Sequence, residues 1–260
     1  MPRFSANLGF LWPDRPLLSK IDAAARAGFK AVELHFPYDV PAEEVKAACQ
    51  RNRVALLGIN TAIGEGPGGH RGLGAVPGRE ADFQALIDQS IAYASITGGT
   101  AVHAMAGIVP EKDRAAGTEI FVRNLRQAAK KAGAKGLTLF LEPLNQRDNP
   151  GYFYREIEPA IEIIDRVGAP NVKLMFDAYH IGCVQGDILT RLRTYFDRIG
   201  HVQIAAVPSR AEPDEGEIAF PAIFRALDDL GYRGWVGCEY RPRGDTDAGL
   251  VWTKALGVSL

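Results

Sequence analysis

The chain has 260 residues, of which 47% are hydrophobic and 23% are charged, as in an ordinary globular protein. Its 30 basic and 31 acidic residues give a formal net charge of −1, which argues against a nucleic-acid-binding or anionic-membrane-binding surface. The three cysteines form no CxxC motif, no apolar run reaches membrane-spanning length, and the first residues lack a signal-peptide pattern, so we expect a cytoplasmic protein.

Strand-like apolar runs alternate with helix-like segments along the chain. The eight predicted strands cover residues 3–8, 31–36, 54–60, 100–105, 137–142, 172–177, 201–205 and 235–239. The helices that follow them in turn are predicted over residues 16–27, 41–52, 79–97, 113–132, 156–167, 187–198, 220–230 and 250–256. Most of the strands are continuously apolar, which is typical of parallel strands covered by helices.

Eight such units predict an α/β fold, a single (β/α)8 TIM barrel that forms one domain over residues 1–260. The alternative is an open doubly wound sheet. That fold normally carries a glycine-rich phosphate-binding turn after its first strand, and the segment SANLGFLWP is not one.

Two of the predicted strand-to-helix loops are longer than the usual two to six residues. The first, over residues 64–79, is rich in glycine and carries His70 and Arg71. We interpret it as a lid that closes over a substrate, with a disordered surface loop as the alternative. The second covers residues 207–218 and would lie at the same face of the barrel.

Four oxygen-bearing side chains stand at or near the ends of the last four predicted strands. They are Glu142, Asp177, Gln203 and Glu239. The carboxyl ends of barrel strands converge on one face, where three bare carboxylates would repel one another. A divalent cation would relieve that repulsion, and an all-oxygen ligand set favours Mg²⁺ or Mn²⁺ over zinc. The alternative for any single acid is a helix N-cap or a surface ion pair.

Two histidines are further candidates for the same site. His180 follows Asp177 by three residues, and His103 lies on the fourth predicted strand. Each is either a substrate hydrogen-bond donor or a packed core histidine.

Two glutamates beside one cation are typical of proton transfer next to a carbonyl group. One glutamate removes a proton from carbon, the cation polarises the carbonyl, and the second glutamate returns the proton. Return to the adjacent carbon is an aldose-ketose isomerisation, and return to the opposite face of the same carbon is an epimerisation. Glu142 and Glu239 are the natural pair.

The chain resembles the hydroxypyruvate isomerase family of the xylose-isomerase-like barrel superfamily. The segments that carry the resemblance include LEPLN at 141–145, DAYH at 177–180, HVQIA at 201–205, EPDEGEI at 212–218 and GWVGCEYRP at 234–242. The resemblance implies that Glu142 and Glu239 exchange the proton. It also implies that these two residues hold the metal together with Asp177 and Gln203.

The resemblance divides between two branches of the family. VHAMAGIVP at 102–110 is similar to the 2-oxo-tetronate isomerase branch, and LEPLNQRDNPGYF at 141–153 to the hydroxypyruvate branch. Both substrates are short 2-oxo acids, and their carboxylate needs a cationic partner. The candidates are Arg71, Arg210 and Arg241, with His70, His103 and His180 as further substrate contacts.

Three other functions compete with this interpretation. A ketose 3-epimerase of the same superfamily would usually have histidine where Gln203 stands. An apurinic-site endonuclease would need a histidine-rich zinc cluster and a basic groove, whereas this chain has five histidines and a net charge of −1. A sugar-binding protein without activity would not need two glutamates on one cation. Barrel enzymes often form homo-oligomers, and no residue here decides the point.

Overall fold

The structure, a computed structural model, describes residues 1–65 and 71–260. The strands in this part of the chain are β1 (Arg3–Asn7), β2 (Ala31–Glu33), β3 (Ala55–Leu56), β4 (Gly58–Asn60), β5 (Ala101–His103), β6 (Thr138–Leu141), β7 (Val172–Asp177), β8 (Ile199–Ile204) and β9 (Trp235–Cys238). They form one parallel sheet in the order β3-β2-β1-β9-β8-β7-β6-β5-β4. The two ends of this order are the two halves of a single predicted strand.

That predicted third strand is interrupted at Leu57, and the interruption closes the barrel. Its first half, β3, pairs with β2, and its second half, β4, pairs with β5. The amide of Leu57 donates to the carbonyl of Val32 at 2.9 Å, and the amide of Leu34 donates to the carbonyl of Gly58 at 3.0 Å. The sheet is therefore continuous around the ring, which confirms the predicted (β/α)8 architecture.

Helices lie between the strands. They are α1 (Leu17–Arg26), α2 (Ala42–Asn52), α3 (Glu80–Thr97), α4 (Arg114–Gly133), α5 (Ile157–Val167), α6 (Ala178–Val184), α7 (Ile188–Thr194), α8 (Phe220–Asp229), α9 (Thr246–Gly249) and α10 (Trp252–Ala255). In α5 the buried residues Ile157, Ala160 and Ile164 recur at helical spacing, and the helix ends at Gly168 with φ of 69°. Among the described residues, no helix is both long and apolar enough to cross a membrane.

Helix α6 has no counterpart among the predicted helices. It begins directly after Asp177, whose Oδ1 accepts a hydrogen bond from the amide of Tyr179 at 2.8 Å. This is an N-cap contact, in which a carboxylate satisfies an unpaired amide in the first turn. Asp177 therefore ends a strand and caps a helix in the same position.

Strand β1 shows how the barrel divides its residues between two faces. Phe4 packs against Phe224 and Trp252 in the layer between sheet and helices, with ring centroids 5.2 and 6.0 Å apart. Ser5 and Asn7, on the opposite face, are buried polar residues of the barrel interior. Alternation along a strand thus places apolar side chains under the helices and polar ones inside the barrel.

Candidate active site

The three predicted acidic ligands and His180 form one buried cluster at the ends of β6, β7 and β9. Glu142 and Glu239 directly follow β6 and β9, and Asp177 is the last residue of β7. One ligand atom from each of Glu142, Asp177, His180 and Glu239 lies within 4.8 Å of the other three. Parallel strands that end at one face bring these distant residues together. We call the four residues the outer layer.

Glu239 is surrounded by hydrogen-bond donors. Its Oε1 lies 2.7 Å from His35 Nε2 and accepts from the side-chain Nδ2 of Asn7 at 3.3 Å, and its Oε2 accepts from Arg210 Nη2 at 3.2 Å. Burial alone would raise the pKa of Glu239, but the hydrogen bond with His35 and the charge of Arg210 outweigh burial and lower it. The surroundings of Glu239 therefore hold it as an anion.

Glu142 and Asp177 lie in the opposite electrostatic situation. Burial raises the pKa of Glu142 well above its ordinary value, and the charges of Glu239 and Asp177 raise it further. Burial and the charge of Glu239 also raise the pKa of Asp177. Within the described part of the chain, Glu142 Oε1 and Asp177 Oδ2 are buried without a hydrogen-bond partner. Their negative charge is left without enough compensation from the protein.

The orientation of His180 makes it a donor to the site. The backbone amide of Asn145 donates to His180 Nδ1 at 3.0 Å, so Nδ1 must carry the lone pair. Burial and the charge of Arg210 lower the pKa of His180 to about 3, which keeps the ring neutral. The proton is therefore on Nε2, which lies 3.6 Å from Asp177 Oδ2 and 3.9 Å from Glu142 Oε1. This Nε2–H group can donate to a ligand oxygen but cannot bind a cation.

His103, the second predicted histidine, lies beside Glu142. Its Nδ1 is 3.4 Å from Glu142 Oε2, and the side chain is almost completely buried. Burial lowers the pKa of His103 to about 4, so this ring is also neutral near pH 7. His103 borders the same cavity as Glu142, His180 and Glu239.

The three predicted arginines line that cavity, which has a volume of about 240 Å³. Arg71, Arg210 and Arg241 border it together with Glu142, His180 and Glu239. A larger surface cavity of about 370 Å³ lies beside α4 and α5 and contains none of these residues. The smaller cavity suits a ligand of a few carbon atoms, since drug-sized ligands occupy roughly 300–1,000 Å³. His70, predicted to contact the substrate, lies outside the described residues.

Arg210 is the most tightly held of the three arginines. It is 8% exposed, and its guanidinium lies over the rings of Phe10 and Tyr179 at 4.7 and 4.9 Å. It donates to Asp148 Oδ2 at 3.3 Å as well as to Glu239. Its φ of 58° lies in the left-handed region that non-glycine residues rarely adopt. Backbone strain of this kind is often found at functional sites.

At this side of the cavity, a contact between Glu212 and Arg243 joins two loops, and we call this contact the clamp. Glu212 is fully buried, and its carboxylate accepts from the backbone amide of Arg243 at 3.2 Å and lies 3.0 Å from Arg243 Nε. The same guanidinium bonds to Asp214 at 2.7 Å and to Glu215 at 2.8 Å. The loop that carries Arg210 is thereby tied to the loop that carries Arg241.

Gln203, the fourth predicted ligand, belongs to a second polar group deeper in the barrel. It borders a small cavity of about 20 Å³ together with Glu33 and His201. Its Nε2 donates to Glu33 Oε2 at 2.9 Å, and Ser5 Oγ donates to Glu33 Oε1. His201 Nε2 lies 3.1 Å from Glu33 Oε2. We call Ser5, Glu33, His201 and Gln203 the inner layer.

The chain is similar to known proteins over nearly its whole length. A family model described as xylose isomerase-like TIM barrel matches residues 21–256. The chain belongs to this family. A 2-oxo-tetronate isomerase of Cupriavidus necator is 46% identical over 255 residues, with 98% of each chain covered. A hydroxypyruvate isomerase of Escherichia coli is 36% identical over 255 residues, with 97% of this chain and 98% of the relative covered.

Two solved structures share the fold of this chain. A crystal structure from Brucella melitensis, named AP endonuclease, family 2, is 41% identical and superimposes with a TM-score of 0.95, with 98% of this chain and 99% of that chain covered. A D-psicose 3-epimerase of Clostridium cellulolyticum is 19% identical over the full length of both chains with a TM-score of 0.81, which shows the shared fold alone. With its curated relatives, this xylose isomerase-like barrel is an enzyme of the isomerase class.

The donor set of this family member fits a hard divalent cation. Three buried oxygens, Glu142 Oε1, Asp177 Oδ2 and Gln203 Oε1, have no hydrogen-bond partner among the residues described. Carboxylate and amide oxygens are the ligands that Mg²⁺ and Mn²⁺ prefer. A cation would relieve the repulsion that raises the pKa values of Glu142 and Asp177.

Four residues of the two layers and the cavity are not among the candidates predicted from the sequence. They are Asn7, Glu33, His35 and Asp148. Asn7 and His35 lie at or just after the ends of β1 and β2, so the strand-end rule applied to the later strands would also have found them. Asp148 follows a strand end by several residues, and its position depends on how its loop folds.

Proposed function

We propose that this enzyme interconverts hydroxypyruvate and tartronate semialdehyde (2-hydroxy-3-oxopropanoate) by proton transfer between Glu142 and Glu239. The observation that carries the proposal is the meeting of these two glutamates in one buried cluster, beside a cavity lined by three arginines. The glutamates suit acid-base chemistry at carbon, and the arginines suit an anionic substrate.

The proposed reaction moves one proton between two adjacent carbons and a second proton between the oxygens that those carbons carry, so that the hydroxyl of the first carbon becomes the aldehyde and the ketone of the second becomes the carbinol. In hydroxypyruvate, one glutamate removes a proton from the hydroxymethyl carbon, and an enediolate results. The other glutamate then delivers a proton to the neighbouring carbon, which becomes the carbinol carbon of the semialdehyde. Because the reaction is reversible, each glutamate acts as base in one direction and as acid in the other.

A bound Mg²⁺ or Mn²⁺ would polarise the substrate carbonyl and stabilise the negative charge of the enediolate. Glu142, Asp177, Gln203 and Glu239 would hold this cation through their oxygen atoms. His180 would orient the substrate by donating from Nε2 to one of its oxygens, because its other ring nitrogen is occupied by Asn145. The buried position of these residues excludes most water from the reacting atoms.

Recognition of the substrate carboxylate falls to the arginines of the cavity. Arg210 is preorganised by two aromatic rings and by Asp148, so it loses little side-chain freedom when a ligand arrives. Arg71 and Arg241 border the same space and supply further positive charge. A neutral sugar would gain nothing from the positive charge of these arginines, whereas a carboxylate substrate would be attracted by it.

A four-carbon 2-oxo acid is the second candidate substrate. The relative from Cupriavidus necator that is 46% identical is named 2-oxo-tetronate isomerase. The same two glutamates would carry out the same proton transfer on the longer substrate. A ketose 3-epimerase is less compatible, because Gln203 occupies the position where those enzymes usually have histidine.

Nucleic-acid cleavage by a zinc cluster is disfavoured by the site. In the described ranges the group suited to a metal contains three carboxylates and one histidine, and that histidine carries its proton on the nitrogen that faces the cluster. Multi-zinc sites require several metal-accepting histidines.

Proton NMR in deuterated water tests the proposal directly. The Mn²⁺- or Mg²⁺-loaded protein is incubated with hydroxypyruvate, with a four-carbon 2-oxo acid, and with a neutral ketose in separate samples. Conversion of hydroxypyruvate to the semialdehyde with solvent deuterium at carbon supports the proposal, and Glu142→Gln protein is the matched control. Conversion of the four-carbon acid alone selects the second candidate. Conversion of the ketose alone, or of none of the three, would overturn both assignments.

A further inference from the structure

Glu33 is a buried carboxylate that the proposed reaction does not use. Glu33 is 4% exposed, and its neighbours Ser5, His201 and Gln203 are also buried. Removing a carboxylate from water is costly, so an inner-layer charge of this kind calls for a specific role. Glu33 lies at the end of β2, and its carboxylate reaches Ser5 on β1 and Gln203 on β8.

The amide of Gln203 needs an external constraint if it is to bind a cation. A glutamine side chain ends in one oxygen that accepts hydrogen bonds and one NH₂ group that donates them. Three carboxylates stand in the neighbouring outer layer, and they attract the NH₂ group rather than the oxygen. Without a competing acceptor, the amide would turn its donor towards the cation site.

The inner layer supplies that competing acceptor. Glu33 Oε2 accepts from Gln203 Nε2 at 2.9 Å, and the oxygen Oε1 is left buried and without a partner in the described part of the chain. The two amide atoms point apart, so Oε1 cannot also face Glu33. On the side of Gln203 away from Glu33, its register neighbour is Asp177 on β7.

A glycine on β9 makes room for this contact. In the sheet, Gly237 pairs with Ser5 on one side and with Gln203 on the other. A Cβ atom at residue 237 would collide with the carboxylate of Glu33 and would lie 2.9 Å from Gln203 Cγ. The carboxylate therefore occupies the space that a side chain at residue 237 would need, which is how it crosses from β2 to β8.

We propose that Glu33 is a positioning residue that fixes the Gln203 amide with its oxygen available to the cation. The hydroxyl of Ser5 donates to Glu33 Oε1 and helps to hold the carboxylate in place, and His201 Nε2 lies 3.1 Å from Oε2. The inference rests on the proposed function, since it assumes that a cation binds at the outer layer. Partners that orient a metal ligand in this way typically contribute tenfold to hundredfold in metal affinity.

The test is a double-mutant cycle on Mn²⁺ affinity, measured by isothermal titration calorimetry on the full chain. Glu33→Gln is combined with Gln203→Glu, because a carboxylate has two equivalent oxygens and needs no orienting partner. In the Gln203 protein we expect Glu33→Gln to weaken Mn²⁺ binding by about tenfold or more. In the Gln203→Glu background, the same change leaves the affinity within about twofold or tightens it, because a like charge has been removed.

The outcomes distinguish a failure of this inference from a failure of the proposed function. Equal weakening in both backgrounds would show that Glu33 only supports the barrel, and no weakening in either would show that it has no role; both overturn the inference while the cation site stands. If the unmodified protein binds no Mn²⁺, the cation role in the proposed function fails as well. Should Glu33→Gln fail to fold, Ser5→Ala replaces it in both backgrounds, with an expected loss of about threefold confined to the Gln203 protein.

Discussion

Two buried glutamates, one in each polar layer, differ in how far the protein satisfies them. Glu33 and Glu142 are 4% and 5% exposed, and both come from strand ends of the same barrel. Both oxygens of Glu33 have partners in the protein, and the charge of His201 together with the hydrogen bonds outweighs burial and lowers its pKa. Glu142 has one oxygen without a hydrogen-bond partner among the described residues, and its pKa is raised.

This difference distinguishes a carboxylate that supports the fold from one that belongs to the candidate active site. A carboxylate that the fold itself satisfies stabilises the barrel, whereas one that the fold leaves unsatisfied is available to a ligand from outside. Active sites commonly retain such destabilising groups because the reaction needs them. Burial alone would not have distinguished Glu33 from Glu142.

The largest expected effect comes from neutralising the outer layer. We expect Glu142→Gln and Glu239→Gln each to lower kcat by about 100-fold or more, because each removes a group that takes or returns the proton. Steady-state kinetics on the metal-loaded protein measure the effect. Glu162→Gln, whose side chain is 68% exposed, is the matched control and should leave kcat unchanged. Near-normal turnover in either active-site variant would remove that residue from the reaction.

The next largest effect is on the free energy of unfolding, which we expect to change in opposite directions when Glu33 and Glu142 are replaced. We expect Glu33→Gln to lower the free energy of unfolding by about 3 kcal/mol, since it breaks a buried charged network. Glu142→Gln should raise it by about 1 kcal/mol in metal-free protein, since it removes repulsion with Asp177 and Glu239. Urea denaturation in the presence of a chelator compares them. Losses of similar size in both variants would contradict the contrast between the layers.

A smaller effect is expected from crowding the inner layer. Gly237→Ala would push a methyl group into the carboxylate of Glu33, and we expect a loss of about 1–3 kcal/mol in the free energy of unfolding. Gly244→Ala is the control, because a Cβ there meets no atom within 4 Å among the described residues. Equal stability of the two variants would mean that Glu33 can move away from residue 237 at little cost.

The sequence carried most of the information about the fold. Eight apolar runs at regular intervals predicted the barrel, because strands covered by helices have few polar positions to confuse the pattern. The interruption at Leu57 was not predictable, since it arises from how two neighbouring strands share one partner. Helix α6 was missed because no helical segment was predicted to begin at Asp177, although a helix N-cap was the alternative role considered for a strand-end acid, and its N-cap contact shows that Asp177 has that role.

The sequence indicated which side chains meet where strand ends determine their position, and it did not indicate the contacts that cross the barrel. Glu142, Asp177 and Glu239 meet because their strands end at one face. The contact of Glu33 with Gln203 joins residues 170 positions apart and depends on a missing side chain at Gly237, which no local pattern shows. The roles of the individual residues, the single domain over 1–260, the lid, the cytoplasmic location, the small-acid partner and a homo-oligomeric state stay predictions.

The clamp between Glu212 and Arg243 limits how the substrate range of this enzyme can be redesigned. Glu212 is fully buried, and its charge is balanced by an arginine from a different loop. Replacing only one of the two loops with that of a relative would separate Glu212 from Arg243 and leave a buried charged group without its partner. Successful chimeras would therefore exchange residues 207–218 and 240–247 as a single unit.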